Sequence, residues 1–303
     1  MKAYVGVTDG KWYEHLAGKG FDEINFWKPG GSSSFRALEA GDLFLFKLHS
    51  PQNYIVGGGI FVRFSILPTF LAWEAFEEKN GAATIEEFEA RIAKYKGAHA
   101  TNPNIGCIIL ASPFFFDRAD WIATPADWSP NIVQGKSYDE TTFEGMRLID
   151  SVLERLPSGA QPEVVGEQTP LAGLGHTRAT YRIGQGAFKV MVADAYNRRC
   201  AISEERTLPV LEAAHIVPFS IEQSNQVTNG MLLRRDIHTL FDKGYITITD
   251  DYHVEVSRRL KDDFGNGRIY YAYHGLLLPN IPKREEERPS VKALQWHNEQ
   301  VYK

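Results

Sequence analysis

Cysteine is nearly missing from this chain: Cys107 and Cys200 are the only two, far apart among 303 residues. Two thiols so placed exclude a disulfide framework and a zinc site built from four thiolates. No run of apolar residues approaches the roughly 20 that a membrane-spanning helix requires. The N-terminal stretch MKAYVGVTDGKWYEHL has neither the apolar segment nor the small-residue cleavage site of a secretory leader, so the cytoplasm is the expected location, with no membrane partner. An excess of positive charge is missing too, the formal net charge being −5, so the whole-chain balance does not announce a nucleic-acid binder. Internal repeats and low-complexity tracts are absent. What remains, 43% hydrophobic and 23% charged, is ordinary globular composition in a chain long enough for two domains.

The charge is unevenly spread. Residues 1–175 hold 15 Lys/Arg against 22 Asp/Glu, a balance of −7, while residues 176–303 hold 18 against 16, a balance of +2. The second half can therefore meet a polyanion through local basic patches at Arg198-Arg199, Arg234-Arg235 and Arg258-Arg259-Lys261.

Along the first half the pattern is α+β. Short strands are expected at 3–7, 42–48, 54–64 and 106–111, with helical turns at 12–17 and 86–96. Gly57-Gly58-Gly59 inside a β-rich run predicts a bulge or a close backbone approach. Together these segments suggest a small curled sheet or barrel. Residues 143–156 have helical spacing, and the following PSGAQP is the best linker candidate. The expected division is 1–135, 136–177 and 178–303.

The second half opens on a helix whose stripe is Phe188, Met191, Val192, Ala195 and Tyr196. Cys200 begins a strand-like segment and reads as a packed small hydrophobe. Residues 209–215 are strand-like. A second helix is expected from about Asp236, as its N-cap, to Lys243, with Gly244 supplying the positive φ of a helix end. Residues 245–249 and 253–256 form a further hairpin.

The chemistry concentrates in three residues. His215 ends a strand in LEAAHIVP, Asn229 sits 14 residues on in the loop TNGMLL, and His238 follows after another 9 in RRDIHTLFDKG. A strand and a helix packed side by side bring both imidazoles to one pocket. Phosphodiester cleavage needs a base to take a proton from water, a brace to hold the base in the right tautomer, and a cation to neutralise the leaving oxygen. Two histidines and an asparagine meet those needs.

The run CAIS, LEAAHIVPFS, NGMLLRRDIHTLFDKGYITI resembles the HNH (ββα-metal) endonuclease family, in the branch with an AHI-type first motif and an HxLFDxG third motif. RIGQGAFKVMVADAYNRRC and RPSVKALQWHNEQVY resemble the flanks of the same branch, so the likeness runs from about 178 to the end. The resemblance implies His215 as general base, Asn229 as central asparagine and His238 as ligand of a single Mg²⁺ or Mn²⁺ ion, with Co²⁺ or Ni²⁺ as further candidates. One position departs from it: Ala214 stands where many members carry an acidic ligand. Asp242, one helical turn from His238, is the favoured replacement, and Glu212, on the same strand face as Ala214, the other. Arg234, Arg235 and Arg199 are candidate DNA-backbone contacts. His176, His253, His274 and His297 have no partner pattern and read as structural.

In the first half, NFWKPGGSSSFRALEAGDLFLFKL, YIVGGGIF, ILASPFFF and WIATPADW resemble a PUA-superfamily barrel of the EVE type, a fold whose members bind modified or flipped bases in an aromatic pocket. An aromatic platform restores the stacking that a flipped base loses. Trp27 is the first candidate for it, followed by Trp12, Tyr13 and Phe35, although aromatics in a small barrel are mostly core. Ser32, Ser33 and Ser34 are possible donors to a base edge or a phosphate, or an ordinary polar turn. The two resemblances imply a modification-dependent restriction endonuclease that flips modified cytosine (5-methyl or 5-hydroxymethyl) from double-stranded DNA. One HNH centre cuts one strand, so double-strand cleavage calls for a homodimer or two binding events. The alternatives are a toxin or homing-type HNH nuclease indifferent to modification, and a non-catalytic DNA-binding protein.

Overall fold

A computed structural model of the chain describes residues 1–31, 34–96, 102–156 and 181–303, arranged as two compact units, Met1–Ala187 and Phe188–Lys303. The fold class is α+β. His176, Ser32, Ser33 and the whole of the linker candidate at 157–162 lie outside the described residues.

The first unit is built on β1 (Lys2–Thr8), α1 (Gly10–Leu16), β2 (Glu23–Lys28), β3 (Leu43–Leu48), β4 (Tyr54–Pro68), α2 (Thr69–Phe76), α3 (Ile85–Lys96), β5 (Asn104–Phe115), β6 (Ile122–Ala123), β7 (Gly135–Asp139) and α4 (Phe143–Leu153). Its strands form one mixed sheet in the order β2-β5-β4-β3-β1-β7, with β6 added to β4; β1 and β3 run parallel and the other pairs antiparallel. Among the described residues the ladder ends at β2 and at β7, so the expected curled sheet is not closed into a barrel by backbone pairing. The curl comes from β4. Its 15 residues change register against β5 between Gly58 and Ile60 and again between Phe61 and Arg63. At Gly58 a Cβ would lie 2.7 Å from both the Phe114 ring and the Phe44 carbonyl, which is why this strand needs glycine there.

Strand alternation explains how β3 can be apolar throughout. Leu43 and Leu45 face a cluster with Ala3, Val5, Ile55 and the α4 residues Leu148, Ile149 and Val152. Phe44 and Phe46 face the opposite cluster, with Trp12, Leu16, Ile24, Phe26 and Phe61. Each such side chain contributes about 1.5–3 kcal/mol when fully buried, so the sheet is secured from both faces. At the head of β2, Glu23 is fully buried and accepts from the amides of Gly186 (2.7 Å) and Ala187 (2.9 Å) in the same unit, with Lys79 Nζ at 3.1 Å. A buried carboxylate is tolerable because all three donors converge on it.

The second unit takes in most of α5 (Gln185–Ala195), then β8 (Leu211–His215), α6 (Phe219–Glu222), β9 (Gly230–Arg234), α7 (Arg235–Asp242), β10 (Ile246–Ile248), β11 (Val254–Val256), α8 (Arg259–Phe264), α9 (Arg268–Tyr271) and α10 (Val291–Gln300). β8 and β9 pair antiparallel from Leu211↔Arg234 to His215↔Gly230, and β10 pairs with β11. The α5 stripe is buried at Phe188, Val192, Ala195 and Tyr196. Gly244 closes α7 in the left-handed region at φ +73°, where a Cβ would collide with the carbonyl of Val301. Lys303 N donates back to Gly244 O at 3.0 Å.

Two local expectations change. Cys200 precedes a turn at 201–203 rather than opening a strand; its buried Sγ accepts from Ser203 N (3.4 Å) and Arg234 N (3.3 Å), so the thiol serves as an acceptor for that turn. Asp236 is not the cap of α7, which starts at Arg235. Its carboxylate is held mainly by Arg234 Nε (2.6 Å) and Nη2 (2.8 Å) and by the Tyr270 hydroxyl (3.0 Å).

Candidate active site

Hairpin β8–β9 followed by α7 supplies a ββα frame. His215 is the last residue of β8, Asn229 immediately precedes β9, and His238 lies on α7. Pairing of His215 with Gly230 fixes the hairpin so that the first histidine and the asparagine sit at one end.

His215 is held by a ring stack and a hydrogen bond. Its ring stacks on Phe188 with centroids 4.0 Å apart and planes 11° from parallel. Its Nε2 lies 2.9 Å from Asn225 Oδ1. With an amide oxygen as acceptor, the proton of the neutral ring resides on Nε2, and Nδ1 carries the lone pair. Burial pushes the imidazole pKa below its usual 6.5. The Asn225 hydrogen bond opposes this shift, the charge on His238 adds to it, and Asp242 opposes it more weakly. The ring is therefore neutral near pH 7, the state a general base requires.

Asn229 is 4% exposed and braces the backbone, not an imidazole. Its Oδ1 accepts from Val217 N (2.8 Å) while its Nδ2 donates to Val217 O (2.9 Å) and Ser224 O (3.4 Å). The orienting amide for the base is instead Asn225, which the motif spacing did not reveal. Residues 223–226 form the turn that delivers it, and Gln223 is in the left-handed region at φ 52°.

His238 is bracketed by carboxylates. Glu212 Oε2 lies 2.8 Å from Nδ1, and Asp242 Oδ2 lies 3.3 Å from Nε2. Glu212 Oε1 accepts from Arg235 Nε at 2.6 Å. Partial burial raises the Glu212 carboxyl, but hydrogen bonds from His238 and Arg235 outweigh it and hold the group below its ordinary range. Desolvation raises the Asp242 carboxyl, His238 counters this, and Glu212 adds to it. Of the three expected ligands, His238 and Asp242 face one another across Nε2, whereas Glu212 stands behind the ring. Imidazole nitrogen with carboxylate oxygen is a donor pair suited to Mg²⁺, Mn²⁺ or a later divalent ion. Among the described residues no group of three or more His, Cys, Asp and Glu forms a ready-made metal cage.

The candidate arginines are all ion-paired: Arg234 with Asp236, Arg235 with Glu212, and Arg199 with Glu204 at 3.5 Å. Arg235, 59% exposed, keeps most of its surface in solvent. His253, His274 and His297 each have local partners. The last is buried, between Thr247 Oγ1 (2.8 Å) and Phe241 O (3.1 Å).

In the first unit a cleft of about 390 Å³ is lined by Trp12, Trp27, Asp9, His49, Lys28 and Arg91, among others. That volume lies within the usual range for ligand sites. Trp27 is the partly buried aromatic wall, fixed by its Nε1 donating to Asn80 O (3.1 Å) and by an edge contact with Phe88 at 5.6 Å. Trp12 is 4% exposed and belongs mainly to the core. Tyr13 and Phe35 do not line this cleft. Tyr13 packs on Phe115 and Trp121; Phe35 packs on Tyr4 and Phe61, with Lys28 Nζ 5.2 Å from its centroid. Ser34 is exposed. Although the first half of the chain is acidic overall, Lys28, Arg91 and Lys94 line this cleft with Asp9 as the one carboxylate, so its own balance is positive.

Residues 200–249 match the HNH endonuclease family, and that stretch is an HNH endonuclease domain; the family implies nuclease activity on DNA and dependence on a metal ion. None of the curated proteins matches the chain. Among solved structures, a mutant ASCH protein from Zymomonas mobilis is similar at 10% identity and TM-score 0.35, over 50% of this chain and 98% of its own. The ASCH protein of Zymomonas mobilis is similar at 9% identity and TM-score 0.34, over 49% of this chain and 94% of its own. The structure titled modification-dependent TagI restriction endonuclease is similar at 12% identity and TM-score 0.29, over 98% of this chain and 81% of its own. No helix among the described residues is long and apolar enough to cross a membrane.

The depressed His215 pKa has a measurable sign. A base that stays neutral to lower pH loses activity only when acid finally protonates it. Cleavage profiled from about pH 5 to 8 at saturating Mn²⁺ is expected to show an acid limb with its midpoint below 6.5. A midpoint at or above 6.5 would contradict the buried, neutral imidazole.

Proposed function

We propose that the protein is a modification-dependent restriction endonuclease. Residues 1–135 read a modified cytosine (5-methyl or 5-hydroxymethyl) flipped out of double-stranded DNA. Residues 136–177 connect, and residues 178–303 cut with a single-metal HNH centre. The observation that carries the catalytic half is the disposition of the two imidazoles on the ββα frame: His215 neutral and oriented, His238 with Nε2 turned to Asp242.

In this reading Asn225 holds the Nε2 proton of His215, so Nδ1 accepts the proton of the attacking water. Phe188 keeps the ring plane fixed during that transfer. Asn229 pins Val217 and thereby the end of the strand that carries the base. His238 Nε2 and the Asp242 carboxylate would hold the divalent ion, which when bound supplies charge to the scissile phosphate and the departing 3′ oxygen. Arg235 lies near enough to His238 in sequence and space to meet a flanking phosphate. The cleft half of the reading is supported by an aromatic wall at Trp27 beside three cations, a combination that suits a base still attached to its phosphates. Cutting both strands requires two copies at the site, as a homodimer or in succession.

The test is digestion of matched plasmids, unmethylated, 5-methylated and 5-hydroxymethylated, with Mg²⁺ or Mn²⁺. Selective cutting of a modified plasmid is the expected result. Equal cutting of all three would leave an HNH nuclease of toxin or homing type and remove modification dependence. If none is cut with any of Mg²⁺, Mn²⁺, Co²⁺ or Ni²⁺, a non-catalytic DNA-binding protein remains.

A further inference from the structure

Glu212 is the acidic side chain of β8, and both of its oxygens are engaged: Oε2 with His238 Nδ1 at 2.8 Å and Oε1 with Arg235 Nε at 2.6 Å. Opposite it, His238 Nε2 faces Asp242 Oδ2 at 3.3 Å. Arg235, Glu212, His238 and Asp242 thus form one line, with Arg235 and Nδ1 meeting the two oxygens of Glu212 and Nε2 turned to Asp242. In the neutral ring only one nitrogen carries a proton. A carboxylate 2.8 Å from Nδ1 attracts that proton, whereas with the proton on Nε2 two lone pairs would confront each other at Glu212. The closer contact, 2.8 Å at Glu212 against 3.3 Å at Asp242, takes the proton, so the geometry selects the tautomer with its lone pair on Nε2, beside an Asp242 oxygen that a cation would satisfy.

We propose that Glu212 is a positioning residue for the metal centre, not one of its ligands: it holds His238 in the Nδ1–H tautomer and makes Nε2 a stronger donor toward the cation beside Asp242. The tautomer statement stands on the hydrogen bonds alone, while its consequence for the ion rests on the nuclease reading above. A carboxylate behind a ligating imidazole fixes ring orientation and raises its basicity. Arg235 completes the device by clamping the far oxygen, which keeps the carboxylate plane turned to the ring. This also accounts for Ala214. Where an acidic ligand is expected beside the base, the chain carries a methyl group, and negative charge reaches the site from behind His238 instead.

Two readouts on the full chain test this: the tautomer of His238 from nitrogen shifts of ¹⁵N-histidine-labelled protein, assigned by subtraction with His238→Ala, and Mn²⁺ affinity by titration calorimetry without DNA. The wild type is expected to show a protonated Nδ1 and a bare Nε2. Glu212→Gln keeps an amide oxygen for Nδ1–H, so it should retain the tautomer and lose about tenfold in affinity; Glu212→Ala should give mixed tautomers and lose at least about tenfold. The proposal is overturned if Glu212→Ala leaves tautomer and affinity at wild-type values. It is equally overturned if Glu212→Gln binds Mn²⁺ as poorly as His238→Ala, because Glu212 would then be a direct ligand. Should wild type and His238→Ala bind Mn²⁺ alike, the metal assignment falls, and the tautomer comparison still decides the role of Glu212.

Discussion

Replacing His215 with alanine is expected to slow DNA cleavage by about 10²–10⁴-fold at saturating metal, the usual worth of a positioned general base. The side chain is held by contacts that have no other evident purpose: a parallel stack on Phe188 at 4.0 Å and an amide oxygen on Nε2 at 2.9 Å. Burying an imidazole lowers its pKa, and a structural histidine would gain nothing from facing the electrostatic field of His238 and Asp242. The alanine variant removes the acceptor while leaving the partners of His238, so DNA and metal binding should persist. Single-turnover cleavage of end-labelled duplex measures the rate, and a gel-shift assay verifies binding. Retention of the wild-type rate in a folded His215→Ala protein would assign the base elsewhere.

The second large effect concerns the cleft. Trp27→Ala is expected to weaken binding of modified duplex by about 5–150-fold, the equivalent of the 1–3 kcal/mol that one base stacked on an aromatic contributes. Binding of unmodified duplex should change little, because cations such as Lys28, Arg91 and Lys94 would still meet phosphates. Discrimination between the two DNAs should therefore collapse while affinity for DNA in general survives. Trp27 lends itself to this test because it is only partly buried, packing against the rim of the aromatic cluster with its indole tied to Asn80 O and Phe88. Fluorescence anisotropy with paired oligonucleotides gives both affinities. An unchanged ratio would move the reading site away from this wall.

The sequence made the nuclease frame legible because its signal is local. Strand, loop and helix are consecutive, and the spacing of His215, Asn229 and His238 survives translation into β8, the turn before β9, and α7. Partners set by turn geometry were hidden. Asn225 reaches His215 through a turn whose shape depends on Gln223 in a left-handed conformation, a fact that no residue count conveys. Asp236 looked like a cap because acidic residues favour helix starts, yet a preceding arginine and a tyrosine 34 positions on claimed its carboxylate. The first unit was legible only as a class. Its aromatics could be counted but not assigned to faces, since alternate residues of β2 and β3 diverge to different sides. Trp27 on β2 lines the cleft, while Tyr13 on α1 and Phe35 in the segment between β2 and β3, whose positions no strand period sets, pack on the same cluster away from it.

Residues 301–303 double back on the helix that carries His238: Lys303 N donates to the carbonyl of Gly244, and Val301 occupies the space a side chain at 244 would need. Residues 301–303 thus act as a doorstop for that helix, so a side chain placed at position 244 would disturb the seat of His238 without touching any residue of the site itself.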